Sequence, residues 1–98
     1  MLVTTHAQDD VLTIKILGRF DFKGAQDFEA AYTATHADNH DIVLDLRDTE
    51  LIDSAALGML LKLREAVGQN KPVTIKATGI VKQALEIALF DKLFHIHQ

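Results

Sequence analysis

The sequence contains no cysteine and no tryptophan, one proline (Pro72), five glycines and few aromatics, 6% of 98 residues. Without cysteine there is no disulfide framework, no thiol nucleophile and no cysteine-based metal centre, and a reducing cytoplasm fits. Without tryptophan, and with ten Lys and Arg scattered among fourteen Asp and Glu, there is neither a stacking platform nor a basic stripe, so nucleic acid is not an expected partner. No apolar run approaches the ~20 residues of a membrane helix. The segment Met1–His6 has no basic region and no cleavage site, so neither a secretory signal nor a membrane association is expected. Gly-x-x-x-x-Gly-Lys-Ser/Thr does not occur, which argues against nucleotide hydrolysis. The glycine-flanked serine elbow of hydrolases is also missing. With a net charge of −4 and 48% hydrophobic residues, the chain reads as a folded acidic domain that works on other proteins or on a small molecule.

Ninety-eight residues suit one domain, here 1–98, with a core that needs no staples. Leu2 to His6 predicts an edge strand, and Gln8-Asp9-Asp10 a hairpin turn. Val11 to Leu17 predicts a strand: Leu12, Ile14 and Ile16 share one face, the opposite face is at least partly covered, and Gly18 ends the strand. Arg19 to Phe22 is a crossing, with Asp21 as helix cap. Phe22, Ala25, Phe28, Ala31, Tyr32 and Thr35 then form the inner face of a helix that ends near His36-Ala37-Asp38-Asn39. Ile42 to Leu46 is apolar on both faces, as a central strand of a covered sheet should be. Arg47 to Glu50 is a polar loop. Asp53 or Ser54 caps a second helix running to about Val67, with Ala56, Leu57, Leu60, Leu61, Leu63 and Val67 inward. Ser54, Ala55, Gly58, Lys62 and Glu65 lie outward, with Met59 at the border. Arg64 falls in the apolar sector, its stem packed and its head reaching solvent. Gly68 and Pro72 close that helix. Val73 to Ala77 is a strand. Thr78 caps a third helix with Ile80, Val81, Ala84, Leu85, Ala88 and Leu89 inward. A turn at Phe90–Leu93 leads to a last strand at Phe94–Ile96. The expected fold is therefore α/β, in the order β-β-α-β-α-β-α-β: a mostly parallel central sheet with an N-terminal hairpin and helices packed on it.

Few residues carry chemistry. A nucleophilic serine needs a base oriented by a third group, and nothing in Ile52-Asp53-Ser54-Ala55-Ala56 supplies one, so no catalytic residue is assigned and the chain is not expected to be an enzyme. On the residues alone Ser54 reads first as a helix cap, worth about 1 kcal/mol. A phosphate there is also easy to hold, because free N–H groups and the positive end of a helix dipole favour it. It would add up to about two negative charges beside Asp48, Glu50 and Asp53, which suits a binding switch. Asp45, Asp48 and Asp53 invite a metal or a phosphotransfer reading, but no second ligand cluster shows by spacing. His36 and His40 straddle a predicted break, and His95 and His97 share one side of a terminal strand. No metal or cofactor is expected.

Four stretches carry a resemblance over nearly the whole chain: Gly18-Arg19-Phe20-Asp21, Ile42-Val43-Leu44-Asp45-Leu46, Ile52-Asp53-Ser54-Ala55-Ala56-Leu57-Gly58 and Leu89-Phe90-Asp91-Lys92-Leu93-Phe94. Together the sequence resembles the STAS domain, and within it the free-standing anti-sigma factor antagonists of bacterial partner-switching systems. The resemblance implies that Ser54 is phosphorylated by an anti-sigma factor that is also a serine kinase. The unphosphorylated form would bind that kinase and free a sigma factor, and the phosphorylated form would let go. A PP2C-type phosphatase, in some systems part of a response regulator, would reset the switch. The family's Asp-Ser-Ser-Gly is here Asp53-Ser54-Ala55-Ala56, which leaves Ser54 as the one acceptor in the motif, with Thr49 nearby.

The expected partner surface comprises Asp21, Arg47, Asp48, Thr49, Glu50, Asp53, Ser54, Ala55, Gly58, Met59 and Lys62, on a protein that is cytoplasmic and monomeric when free. Small Ala55 and Gly58 allow close approach, and Met59 can adapt to a partner's shape. A second STAS-type reading is a small regulatory subunit on an ABC transporter ATPase, in which Ser54 is a contact or a cap and needs no phosphate.

Overall fold

A computed structural model describes residues 1–33 and 40–98 of the chain. The strands are β1 (Leu2–Gln8), β2 (Val11–Phe20), β3 (Asp41–Asp45), β4 (Thr49–Ile52), β5 (Val73–Lys76) and β6 (His95–His97). The helices are α1 (Ala25–Thr33), α2 (Ser54–Val67) and α3 (Gly79–Ile87). The sheet runs β1-β2-β3-β5-β6, with β4 paired to β2. β1 and β2 are antiparallel and every other pairing is parallel. The expected order is the order found, with β4 as an addition. The predicted helix end at His36–Asn39, the inward Thr35 and His36 itself lie outside the described residues.

The hairpin turns on Asp9 and Asp10 alone, both at positive φ (54° and 63°), as a two-residue loop of matching twist requires. Asp tolerates that conformation because its short side chain bonds locally. Gly18 does not end β2. It takes φ +83° within the strand, a conformation a side chain would strain, and just after it the register with β4 shifts, with Glu50 of β4 as the extra, bulged residue. Val11–Lys15 pair with Asp41–Asp45 of β3, and Gly18–Phe20 with Thr49–Ile52 of β4. The residues read as a polar loop at Arg47–Glu50 are therefore a tight turn followed by the start of a strand. Between the two pairings the Ile16 carbonyl would be left open on that side. The Thr49 hydroxyl fills the gap by donating to it at 2.8 Å.

Leu12, Ile14, Ile16, Ile42, Leu44, Val73 and Ile75 lie on one face of the sheet and form a single core with Phe28 and Tyr32 of α1, Leu60 and Leu63 of α2, and Val81 and Leu85 of α3. All three helices thus cover the same face. The other face is more open than the doubly apolar strand at Ile42–Leu46 suggested. Thr13, Val43 and Thr74 align there across three strands and are half-buried, shaded by one another. His95 continues that row and His97 the next.

Helix faces differ from the periodicity at five places. Phe22, Leu61, Ile80 and Leu89 point outward. Phe22 belongs to a short 3-10 turn, Phe22–Gly24, that precedes α1. That turn has three residues per turn, so Phe22 falls out of phase with the α-helical face behind it. Leu89 sits at φ +63° and leaves the line of α3. Arg64 is buried, and its head does not reach solvent as expected. The guanidinium donates to the carbonyls of Gly68 (3.0 Å), Lys71 (2.7 Å) and Leu93 (2.5 Å) and lies 5.0 Å from the Phe94 ring centre. Burial pushes its pKa down. It binds the exit of α2, the approach to β5 and the approach to β6 into one unit. The other end markers hold: Gly68 closes α2 at φ +87°, and Thr78 precedes α3, although its hydroxyl makes no cap bond.

Candidate functional site

The site forms at the end of the sheet where β2 and β4 stop together. Phe20 pairs with Ile52, and each strand then runs into an aspartate in extended conformation that caps the next helical turn. Asp21 accepts from the Lys23 N–H at 3.1 Å, and Asp53 accepts from the Ala56 N–H at 2.9 Å. Asp53 is therefore the cap of α2, and Ser54 is its first helical residue. The reading of Ser54 as a cap is corrected by this geometry. Its side chain is exposed and spends no hydrogen bond on holding the helix. Among the described residues no side chain hydrogen-bonds to its hydroxyl, so no oriented base activates it in this geometry.

The two residues should differ in what they contribute to stability. Asp53→Ala should cost about 1 kcal/mol through loss of the cap, whereas Ser54→Ala should leave stability within about 0.5 kcal/mol of wild type, as exposed substitutions do. Urea unfolding of the two variants checks this. Equal losses would return the capping role to Ser54.

The neighbouring turn is pinned by its own charges. Arg47 grips Asp45 with two hydrogen bonds of 2.9 Å, and Asp45 also accepts from the Arg47 backbone N–H at 3.1 Å. This grip by Arg47 holds the Asp45 carboxyl below its ordinary pKa, against an opposing effect of burial, with Lys15 contributing further. A depressed carboxylate stabilises the fold at pH above its unfolded value of about 3.9. That contribution is lost as pH falls through the lower folded value. Arg47→Gln should therefore move the acid unfolding midpoint to higher pH, as followed by circular dichroism. An unchanged midpoint would show that the pair carries no linkage. Asp48 bridges Lys15 at 2.9 Å; both groups are exposed, and such a pair is worth little in stability.

Asp45, Asp48 and Asp53, read together as a metal possibility, do not converge. Asp45 is engaged by Arg47, Asp48 by Lys15 and Asp53 by the Ala56 N–H. Among the described residues no three His, Asp or Glu are grouped to hold a metal ion.

Of the expected partner surface, Asp21, Arg47, Asp48, Glu50, Asp53, Ser54, Ala55, Gly58 and Lys62 are exposed or half-buried. Asp53, Ser54, Ala55, Gly58 and Lys62 run from the cap down the outer side of α2, Asp21 caps the neighbouring turn, and Arg47 and Asp48 lie in the turn before β4, tied to Asp45 and Lys15. Lys62 reaches Glu29 of α1 at 3.6 Å. Gly58 faces open space, where an added Cβ would meet nothing within 4 Å. Its lack of a side chain serves no internal contact, and glycine in mid-helix costs about 1 kcal/mol relative to alanine.

Two members do not belong. Thr49 is buried with its hydroxyl bonded to Ile16, because β4 turns it into the sheet. That removes it both as a contact and as a second acceptor. Met59 is buried against the α1 side of the core, since the packing of α1 closes over the border position. Phe22, next to Asp21, is exposed at 68%. Helical spacing assigned it to the core, and no signal in the sequence marks where the 3-10 turn ends.

No described helix is long and apolar enough to cross a membrane. Residues 3–95 match the family model described as Mlab, STAS domain. A STAS-domain containing protein of Pseudomonas aeruginosa (strain UCBPP-PA14) is 42% identical over 92 residues, covering 92% of this chain and 91% of the relative. Among solved structures, an anti-sigma factor antagonist from Mycobacterium paratuberculosis superposes with a TM-score of 0.85 at 24% identity, over 98% of this chain and 84% of that one. The anti-sigma factor antagonist SpoIIAA in its unphosphorylated form superposes with a TM-score of 0.72 at 14% identity, over 99% of this chain and 88% of that one. At these identities the structural likeness is one of fold. The match of the family model across almost the whole length, with the Pseudomonas relative, settles the family: the chain belongs to the STAS domain family.

Proposed function

We propose that this protein is an anti-sigma factor antagonist whose unphosphorylated form binds and sequesters an anti-sigma factor with serine kinase activity, freeing a sigma factor. Phosphorylation of Ser54 switches that binding off, and a PP2C-type phosphatase, in some systems part of a response regulator, restores it. The observation that carries the reading is the Ser54 hydroxyl: exposed, unbonded among the described residues, and relieved of capping by Asp53. A kinase can reach it without unfolding the helix. The docking surface comprises Asp21, Arg47, Asp48, Glu50, Asp53, Ser54, Ala55, Gly58 and Lys62. The bare backbone at Gly58 supports close approach by a partner, since nothing inside the protein requires it. The fold likeness to anti-sigma factor antagonists supports the same role. On this reading the protein is a cytoplasmic binding module, monomeric when free, and not an enzyme.

The family model that matches is named for Mlab, and the likeness to anti-sigma factor antagonists is one of fold. These facts favour a second reading, a small regulatory subunit on an ABC transporter ATPase that uses the same face of α2 without a phosphate. Intact-mass spectrometry of protein purified from its native host, combined with pull-down, separates the two. The first reading expects one added phosphate mapped to Ser54 and a kinase-type ATPase in the eluate. Unmodified protein that co-purifies with a transporter ATPase would overturn it.

A further inference from the structure

Phe22 and Ser54 occupy equivalent places in two adjacent strand–cap–helix units. Phe20 and Ile52 are register partners on parallel strands, about 5 Å apart as neighbouring strands are. Each is followed by a capping aspartate, Asp21 or Asp53, and then by Phe22 or Ser54. The register therefore puts an exposed aromatic residue and the exposed serine at equivalent positions on two adjacent strand exits. Phe22 has no structural reason to be large. It is 68% exposed and stands outside the core formed by Phe20, Phe28 and Tyr32, and its ring makes none of the aromatic contacts that link those three. A large, rigid aromatic side chain of this kind contributes binding area at low cost in conformational freedom, and aromatic anchors dominate binding energy when a partner covers them. The charges around it indicate what covers it. Among the described residues Asp21, Glu50 and Asp53 make no ion pair, while Asp48 and Asp45 are matched by Lys15 and Arg47. Of the cations nearby, Arg19 precedes the inward Phe20 on its strand and so projects to the helix-free face; Lys23 is exposed beside Asp21. On the helix side, carboxylates prevail around the ring.

We infer that Phe22 is the apolar anchor of the docking surface, seated in a pocket of the serine-kinase anti-sigma factor that is apolar at its base and basic at its rim. This rests on the proposed function and adds the residue that supplies most of the affinity. It also explains how a phosphate on Ser54 releases the partner. The phosphate would add charge at the strand exit next to the one that carries the anchor, and so oppose burial of that end of the interface.

The test is isothermal titration of wild type, Phe22→Ala, Phe22→Leu and Ile87→Ala with two purified probes, the serine-kinase anti-sigma factor and the transporter ATPase of the same genome. Ile87 is 83% exposed at the far end of α3 and serves as the apolar control. Thermal melts of all four should coincide. Phe22→Ala should weaken kinase binding about thirtyfold or more, as loss of a buried aromatic anchor does; Phe22→Leu should recover part of it, and Ile87→Ala should bind within about twofold, as a residue outside the interface would. The chain has no tryptophan, so Phe22→Trp gives a single reporter whose emission should shift to the blue on adding the kinase. Kinase binding that is equal in wild type and Phe22→Ala, with no emission shift, overturns the anchor and leaves the proposed function standing. Binding of wild type to the transporter ATPase alone, lost in Phe22→Ala, overturns the proposed function and supports the anchor. Binding to neither probe overturns both.

Discussion

Ser54→Asp should weaken binding to the anti-sigma factor by about a hundredfold or more, while Ser54→Ala should bind at wild-type affinity under all conditions of kinase and ATP. The expected size comes from desolvating a new negative charge in a closed interface, where a charge left without a partner costs several kcal/mol. A phosphate carries more charge than the aspartate, about 1.5 to 2 units, so the phosphorylated protein should be weaker still. The charge is tolerated within the molecule. It lies in the first turn of α2, where the helix dipole stabilises an anion by about 0.3–1 kcal/mol. The two variants should therefore fold equally well, with Ser54→Asp melting at or slightly above the wild-type temperature. Calorimetric titration with the purified partner, together with thermal melts, separates binding from folding. Equal affinities for Ser54→Asp and Ser54→Ala would remove the switch from this residue.

Arg64→Leu should destabilise the protein by about 3 kcal/mol or more. The substitution keeps an apolar stem but removes the donors from three carbonyls, those of Gly68, Lys71 and Leu93. Carbonyls left without a partner at partly buried sites cost about 1–3 kcal/mol each, and the cation–π contact with Phe94 is lost as well. Among the described residues no carboxylate pairs with Arg64, so the change does not strand an opposite charge. Its cost is that of the orphaned backbone. Arg64→Lys should recover only part, because an ammonium lacks the planar fork that spans carbonyls from three segments. In urea the midpoint should fall with an unchanged slope, and the melting temperature should drop by more than about 10 °C for a chain of this length. A loss below about 1 kcal/mol for Arg64→Leu would mean that water replaces the guanidinium without penalty.

Much of this was readable in the chain. The alternation of Leu12, Ile14 and Ile16, the apolar run at Ile42–Leu46 and the two helical faces behind Ala56 and Val81 define their elements by period alone. So do the local devices: Asp21 as a cap, Gly68 as a helix end, and an acidic turn before a serine at the start of a helix. These depend on neighbours within four residues, which is the range over which backbone hydrogen bonding and side-chain spacing act. The Asp53-Ser54 motif belongs to the same range, and Ser54 stands exposed at a helix start as its spacing indicated.

The features that spacing misjudged depend on partners far away in the chain. Gly18 looked like a stop and is a hinge, because β2 has two successive neighbours, β3 and then β4, that only the assembled sheet provides. Thr49 looked like a loop contact and is buried, because β4 pairs with β2 and turns its hydroxyl to the Ile16 carbonyl 33 residues away. Arg64 looked like a side chain reaching water, yet its carbonyl partners include Leu93, 29 residues on. Phe22 has core spacing but stands in solvent. The family, the order of elements and the position of the hydroxyl were legible in the chain, since they rest on local patterns. That Asp53 rather than Ser54 holds the helix, and that Phe22 is exposed at the neighbouring strand exit, emerged from the assembled fold. Hydrophobic periodicity says which side of an element is apolar, but burial requires another element to stand opposite that side.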